Sequence, residues 1–500
     1  MPRLSMSAMA QSQDWAAFAA AVDTSFFARL LVEPEALLEG FAAAPEVWLW
    51  ENPRYLMAGA IAQAATNPYA LIPAAIFDRF AAWVEEQDVP AARDRLGVMQ
   101  TQLRALIAAG RIADADEEAD ASLRLIAESK DTDGFDDILP SVFIRIGLVK
   151  LLRGNLRDTI GIFMEGTRRA EATGHPCAPH VSNFAALAYA LLGNFAQAEL
   201  VLKEVPRSDQ ATGPMHAFYC TVAEYAKTLI ALGSFATTDV ESSDQEFGAG
   251  EFWWISSHIH AKAALTGSEQ PFAAAVLEDV LDHHRDLTSA GTLAGSTLRV
   301  DLANLYMATQ NYQAAAHVLR DPAATSAHEA VWSAKARLAL LTGRPERALS
   351  LVSAAQQLHG GRHRTAPALL IIKAAAEHIL GDTSSSAESL ERAAESVLRT
   401  HSFREVVEAH PSIRSELARK VSLPCELPDE VYSRAEAIRL TRREREVLDV
   451  LDQHRSIKEV AAALHVSPHT AKSHLASLYK KLGVHSLEQA LRVADSWRLG

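Results

Sequence analysis

The residues with the most pointed chemistry in this 500-residue chain lie near its C-terminus. Ser467-Pro468-His469-Thr470-Ala471-Lys472-Ser473-His474-Leu475-Ala476 is followed a turn later by Lys480 and Lys481. Ser467 ahead of Pro468 reads as a helix start. Its hydroxyl can accept from the first free amides, and the proline ring has the φ and the missing N–H that suit a first turn. Beyond it Ala471, Leu475, Leu478 and Leu482 recur at i, i+4, i+7 and i+11 as one apolar stripe. The opposite face presents His469, Lys472, Ser473, Ala476 and Lys480, and no Asp or Glu occurs from Val460 to Leu487. Phosphates call for positive charge, and base edges call for short polar groups and methyl contacts. Such a face, free of competing carboxylates, suits a helix lying in the major groove of a duplex.

That helix needs neighbours to hold it. Thr441 with Glu444, Ser456 with Glu459 and Ser486 with Gln489 read as three capping boxes, each ahead of helical apolar spacing. Together with Ser467-Pro468 they predict four helices over roughly 442–453, 457–464, 468–482 and 487–497. Only His465 and Val466 separate the second helix from the cap of the third, the tight connection a helix-turn-helix requires. The apolar stripe is expected to pack on Val447, Leu448, Leu451, Val460 and Leu464. Glu436 to Gly500 holds 11 basic and 8 acidic residues, a net of +3, in a chain of net charge −14; the remainder therefore carries −17.

The segments LTRREREVL (440–448) and KEVAAALHVSPHTAKSHLASLYKKLGV (458–484) resemble the LuxR-type helix-turn-helix of bacterial transcription regulators. The likeness covers about 60 of the 500 residues. It rests on Leu-Thr-x-Arg-Glu, Lys-Glu-x-Ala, Ser-x-x-Thr-x-Lys-x-His and the closing Lys-Leu-Gly-Val. His454 stands where such domains usually carry a glycine after the first helix. The resemblance implies a transcriptional regulator with double-stranded DNA as partner, RNA polymerase as a further one, and a homodimer reading half-sites about one helical turn apart. By position it places Lys472, Ser473 and Ala476 against bases, behind the Ser467 cap and beside His469. Thr470, His474, Lys480 and Lys481 then hold phosphates or brace the helix. A sigma-factor-like promoter reader and an interaction scaffold with a vestigial helix-turn-helix are the alternatives.

The rest of the chain is expected to be all-α, because alternating strand patterns do not occur in series while Ala- and Leu-rich segments abound. A loose period runs through the turn residues Gly110, Gly154, Gly193, Gly233, Gln310, Gly343 and Gly381, with room for a degenerate unit around Gly267. Five positions after each anchor the residue is small: Ala115, Thr159, Ala198, Thr238, Ala315, Ala348 and Ser386. Seven positions before, small residues again dominate: Gly147, Ala186, Ala226, Ala303, Ala336 and Ala374, with Leu103 the exception. Small residues on facing helices permit close approach, so helical hairpins stacked in a solenoid are expected, similar in spacing to tetratricopeptide repeats.

The expected organisation is a helical N-terminal region (1–100), repeats (101–422), a proline-bearing linker (423–435) and the DNA-binding domain (436–500). The repeats are expected to bind an effector or a protein partner. A repeat body ahead of such a domain also resembles large ATP-dependent LuxR-type regulators. Their phosphate loop has no counterpart here, since the dipeptide Gly-Lys never occurs.

Cys177, Cys220 and Cys425 lie far apart, so no disulfide framework or Cys-rich zinc site is expected. No nucleophile–base pair, paired-carboxylate or metal-ligand signature stands out, which points away from an enzyme and from a cofactor. His258 and His260, two apart on a helix, fall on different faces. The longest apolar run, Phe184 to Leu192, is half a membrane span, and no apolar stretch precedes Asp14. A cytoplasmic chain without a membrane partner is expected. Phe252-Trp253-Trp254, with Phe218, Tyr219 and Tyr225, reads as repeat core or as an apolar pocket on a concave face.

Overall fold

The computed structural model describes residues 6–67, 71–129, 134–204, 211–235, 252–267, 269–289, 291–321, 329–358, 366–424, 426–432, 447, 450, 457–464 and 466–482. Of residues 457, 458, 469 and 478–482 it describes the backbone alone. Among the described residues every regular element is a helix and no strand occurs. The chain divides into two compact units, Met1–Ala231 with Thr237–Ser256, and Leu232–Ala236 with Ser257–Gly500.

The first unit opens with α1 (Met6–Gln11), α2 (Trp15–Val32), α3 (Pro34–Ala43), α4 (Glu46–Glu51), α5 (Pro53–Ala64) and α6 (Ala74–Glu85). Prolines start α3 and α5 at positions whose amides need no partner. By length and composition α2 could cross a membrane. Here its Phe18, Val22, Phe26 and Leu30 are buried with Leu37, Phe41, Ala58 and Ala62. It breaks at Ser25 (φ −156°, ψ 34°). The carboxylate of Asp137 takes the amides just past the break, Phe27 N at 2.8 Å and Ala28 N at 3.0 Å.

Helical pairs follow: α7 (Ala92–Ala108) with α8 (Ile112–Glu128), α9 (Phe135–Leu152) with α10 (Leu156–Thr173), and α11 (Ala178–Leu191) with α12 (Phe195–Glu204). The leading helices of successive pairs also touch, α7 on α9 and α9 on α11. The anchors Gly110, Gly154 and Gly193 take left-handed φ of 70°, 83° and 78° at the turns. Ala115, Thr159, Ala186 and Ala198 are buried, as the small-residue pattern requires. Gly147 on α9 shows why. A Cβ there would lie 2.2 Å from the ring of Phe163 on α10.

In α13 (Gly213–Ser234) the pattern slips. Gly233, expected at a turn, is helical, and the left-handed residue is Phe235 (φ 54°). One extra stretch of helix carries the chain past the anchor, and Thr238 lies outside the described residues.

The division after Ser256 falls within α14 (Trp253–Leu265), and the second unit continues with α15 (Gln270–His283), α16 (Leu293–Ala308), α17 (Tyr312–Val318), α18 (Glu329–Leu341), α19 (Pro345–Leu358), α20 (Pro367–Leu380) and α21 (Thr383–Thr400). Gly267 falls between α14 and α15, where the degenerate unit was expected. The pairs α16/α17, α18/α19 and α20/α21 pack within themselves, and α16 touches α18 as α18 touches α20. Gln310, Gly343 and Gly381 turn them with left-handed φ, and Ala303, Ala315, Ala336, Ala348 and Ala374 are buried. α22 (Arg404–Val407) and α23 (Pro411–Val421) pack on α20.

The proline-bearing stretch expected as a linker is partly docked. Arg414 donates to the carbonyls of Pro428 and Asp429. Tyr432 is buried among Val300, Tyr312, Val331 and Leu341, under the guanidinium of Arg337 at 5.3 Å from its ring. Arg337 is itself buried, donating to Asn304 Oδ1 at 2.9 Å and paired with Glu408 at 3.2 Å. Glu408 also accepts from Arg404 Nε at 2.9 Å. Burial would raise the Glu408 pKa, but Lys262, Arg337 and Arg404 outweigh it and hold the carboxylate well below its ordinary range.

Candidate nucleic-acid interface

The polar face picked out in the sequence belongs to a pair of helices, α24 (Ile457–Ala463) and α25 (Pro468–Leu482), packed on each other. The chain leaves α24 through Leu464 N to Val460 O at 3.0 Å and Val466 N to Ala461 O at 2.9 Å. Ser467 then caps α25. Its Oγ accepts from Thr470 N at 3.1 Å and lies 2.8 Å from Thr470 Oγ1.

Inward, Ala471 and Leu475 of α25 are buried, as are Val460, Ala461, Leu464 and Val447. Outward, Lys472, Ser473, Ala476 and Ser477 are exposed together with Ser467, while Thr470 and His474 are half-buried. Burial therefore sets Ala471 and Leu475 apart from the polar face, while the side chains of Leu478 and Leu482, the rest of the predicted stripe, lie outside the described residues. His469, Lys480 and Lys481 belong to α25, but their side chains lie outside the described residues. So do Leu448, Leu451, the predicted fourth helix, and the capping boxes except Glu459; of the predicted first helix only Val447 and Val450 are described, both helical.

Two short helices joined by a capped turn, one of them showing an acid-free polar face, place the chain among helix-turn-helix proteins. The family profile for bacterial regulatory proteins of the luxR family matches residues 439–494. The spore germination protein GerE of Bacillus subtilis is 41% identical over 61 residues, 12% of this chain and 80% of that protein. The chain belongs to the luxR family.

The transcriptional regulatory protein UhpA of Escherichia coli is 48% identical over 59 residues, and the probable transcriptional regulatory protein NarL of Mycobacterium tuberculosis 42% over 74 residues. The chain spans 30% and 33% of the lengths of these two relatives. No solved structure matches it.

Elsewhere, the aromatic cluster is core. Phe252, Trp254, Tyr219 and Tyr225 are buried, and the Phe252 ring lies 5.9 Å from Phe184 and 5.8 Å from Phe218. Tyr219, at the edge of the cluster, also lines a cavity. His258 is buried against Asp301, Nδ1 to Oδ2 at 2.6 Å, while His260 is exposed, so the two do point apart. Among the described residues no group of His, Cys, Asp and Glu is arranged to hold a metal ion.

A cavity of about 300 Å³ lies in the first unit, and of the aromatic cluster only Tyr219 pointed to it. Its lining comes from α2, α5, α6, α7, α9 and α13 and from the connections after α5 and after α10. Its polar residues, Gln100, Arg104, Ser141, Arg145 and His175 among them, are ordinary in spacing and meet only through packing.

Proposed function

We propose that this protein is a cytoplasmic, DNA-binding transcriptional regulator. In this reading α25 enters the major groove, Lys472, Ser473 and Ala476 face base edges, and His469, Thr470, His474, Lys480 and Lys481 hold phosphates or brace the helix behind the Ser467 cap. The C-terminal domain (436–500) follows a tetratricopeptide-like body (101–422) that binds an effector or a protein partner. A homodimer engages two half-sites, with RNA polymerase as the downstream partner.

The observation that carries this reading is the division of α25 into a buried Ala471–Leu475 stripe and an exposed Lys472–Ser473–Ala476 face, inside an acid-free window. The family membership of the same segment supports it.

The test is selection of bound duplexes from a random-sequence pool by the full chain, followed by anisotropy titration of the enriched sequence. A reproducible motif is expected, and Lys472→Ala should weaken binding about tenfold and relax the motif. Failure to enrich any sequence, or titrations indifferent to Lys472→Ala, would falsify the assignment.

A further inference from the structure

We propose that the first unit holds a binding site for a small amphipathic acid, a molecule with an apolar body and one anionic group. The cavity of about 300 Å³ is at the lower end of the range that ligand pockets occupy, about 300–1,000 Å³. Its apolar wall is built by Phe27, Leu31, Ile61, Ile72, Phe77 and Met215.

The polar residues on the rest of the wall select the ligand's head. Every carboxylate- or guanidinium-bearing residue on the lining is an arginine, Arg104 or Arg145; no Asp or Glu contributes, although acids outnumber bases 62 to 48 in the chain. Gln100 adds a neutral donor. Its Oε1 accepts the Ser141 hydroxyl at 3.4 Å, while Nε2 is buried with no partner among the described residues. A buried donor left unmade is costly, and an anionic oxygen satisfies it better than a neutral one.

The two groups on the wall that could react are tied down. His175 Nδ1 accepts from Cys177 N at 3.1 Å, which puts the ring proton on Nε2, 3.2 Å from Asp137 Oδ1. Burial, helped by Asp137, pushes the Cys177 thiol up to about 12, so it stays protonated and unreactive. The cavity is therefore built to bind rather than to transform.

Gly97 marks the floor. It lies inside α7, where glycine weakens a helix, and it lines both this cavity and an adjoining one of about 80 Å³. A Cβ at Gly97 would meet only the Phe80 ring, at 3.4 Å, so no clash demands the glycine. That Cβ would point at Phe80, which lines the smaller cavity and not the larger one.

The proposal rests on the effector half of the reading above and is independent of the DNA half. Decanoate titrated into the full chain, without DNA, tests it by calorimetry, with decanol and decyltrimethylammonium as comparators. Saturable binding of decanoate is expected, about tenfold tighter than decanol, with no binding of the cation. Arg145→Gln should bring decanoate down to the level of decanol, and Arg145→Lys should recover part of the loss. The site is refuted if wild type shows no saturable decanoate binding, if decanol binds as tightly, or if Arg145→Gln binds decanoate as tightly as wild type. Such a result leaves duplex binding by the same chain untouched, and a failure of duplex binding leaves the titration untouched.

Discussion

Single side chains set two measurable properties. His180 is buried against the ring of Tyr219, with His216 Nδ1 at 3.4 Å. Burial, reinforced by His216, lowers its pKa from 6.5 to about 3. Between those values the unfolded chain holds a proton that the folded chain refuses, so the stability this group contributes is present above pH 6.5 and drains away as pH falls toward 3. Taking wild type from pH 7 to pH 5 should cost about 2 kcal/mol more than taking His180→Gln, read from urea melts at both values. Equal losses would mean the ring titrates normally. At the other end of the chain, Ser467→Ala removes the acceptor of the Thr470 amide and should cost about 1 kcal/mol, read as helicity lost and duplex affinity reduced. Ser467 was legible because capping is local; His180 was not, because its neighbours are 36 and 39 residues away.

At the scale of elements the question is how closely helices approach. Gly147→Ala improves local helix propensity by about 1 kcal/mol. It also drives a methyl into the Phe163 ring. Overpacking of that kind costs about 1–3 kcal/mol or more, so the variant should melt earlier than wild type. A stabilised variant would show that α9 and α10 can part. The docked stretch offers a second measure. Tyr432→Ala empties the space under Arg337 and should destabilise the second unit by about 3 kcal/mol, read by thermal melting with proteolysis after Ser422 as the local probe. The hairpins were readable from their turn residues and buried alanines, since a left-handed turn and a close helix contact each restrict residue type. Gly233 misled because a glycine is also tolerated within a helix, and nothing local told the two uses apart. The prolines marked a linker, and what its residues touch comes from outside it: Arg414 in the helix just before, and Arg337 on a helix distant in sequence.

For the whole molecule charge is the governing property. The C-terminal 65 residues carry +3 and the rest −17, so the cations available to a duplex lie in one small region. With Lys480 and Lys481 as its lysine phosphate contacts, log affinity should fall against log salt with a slope of about −2 per protomer, and Lys480→Ala should reduce that slope by about 1. A flat salt response would remove the electrostatic basis of the proposal. Sequence alone determined the helical character, the hairpin turns, the charge division and the two faces of α25, because helix periodicity, capping and net charge act over a few residues or add up without regard to fold. Only the tertiary structure decided that Phe252 and Trp254 are core, that Tyr432 is anchored, and that Arg104, Arg145 and Gln100 share the wall of one cavity. Those facts depend on which helices pack against which, and long-range packing leaves no fixed spacing along the chain.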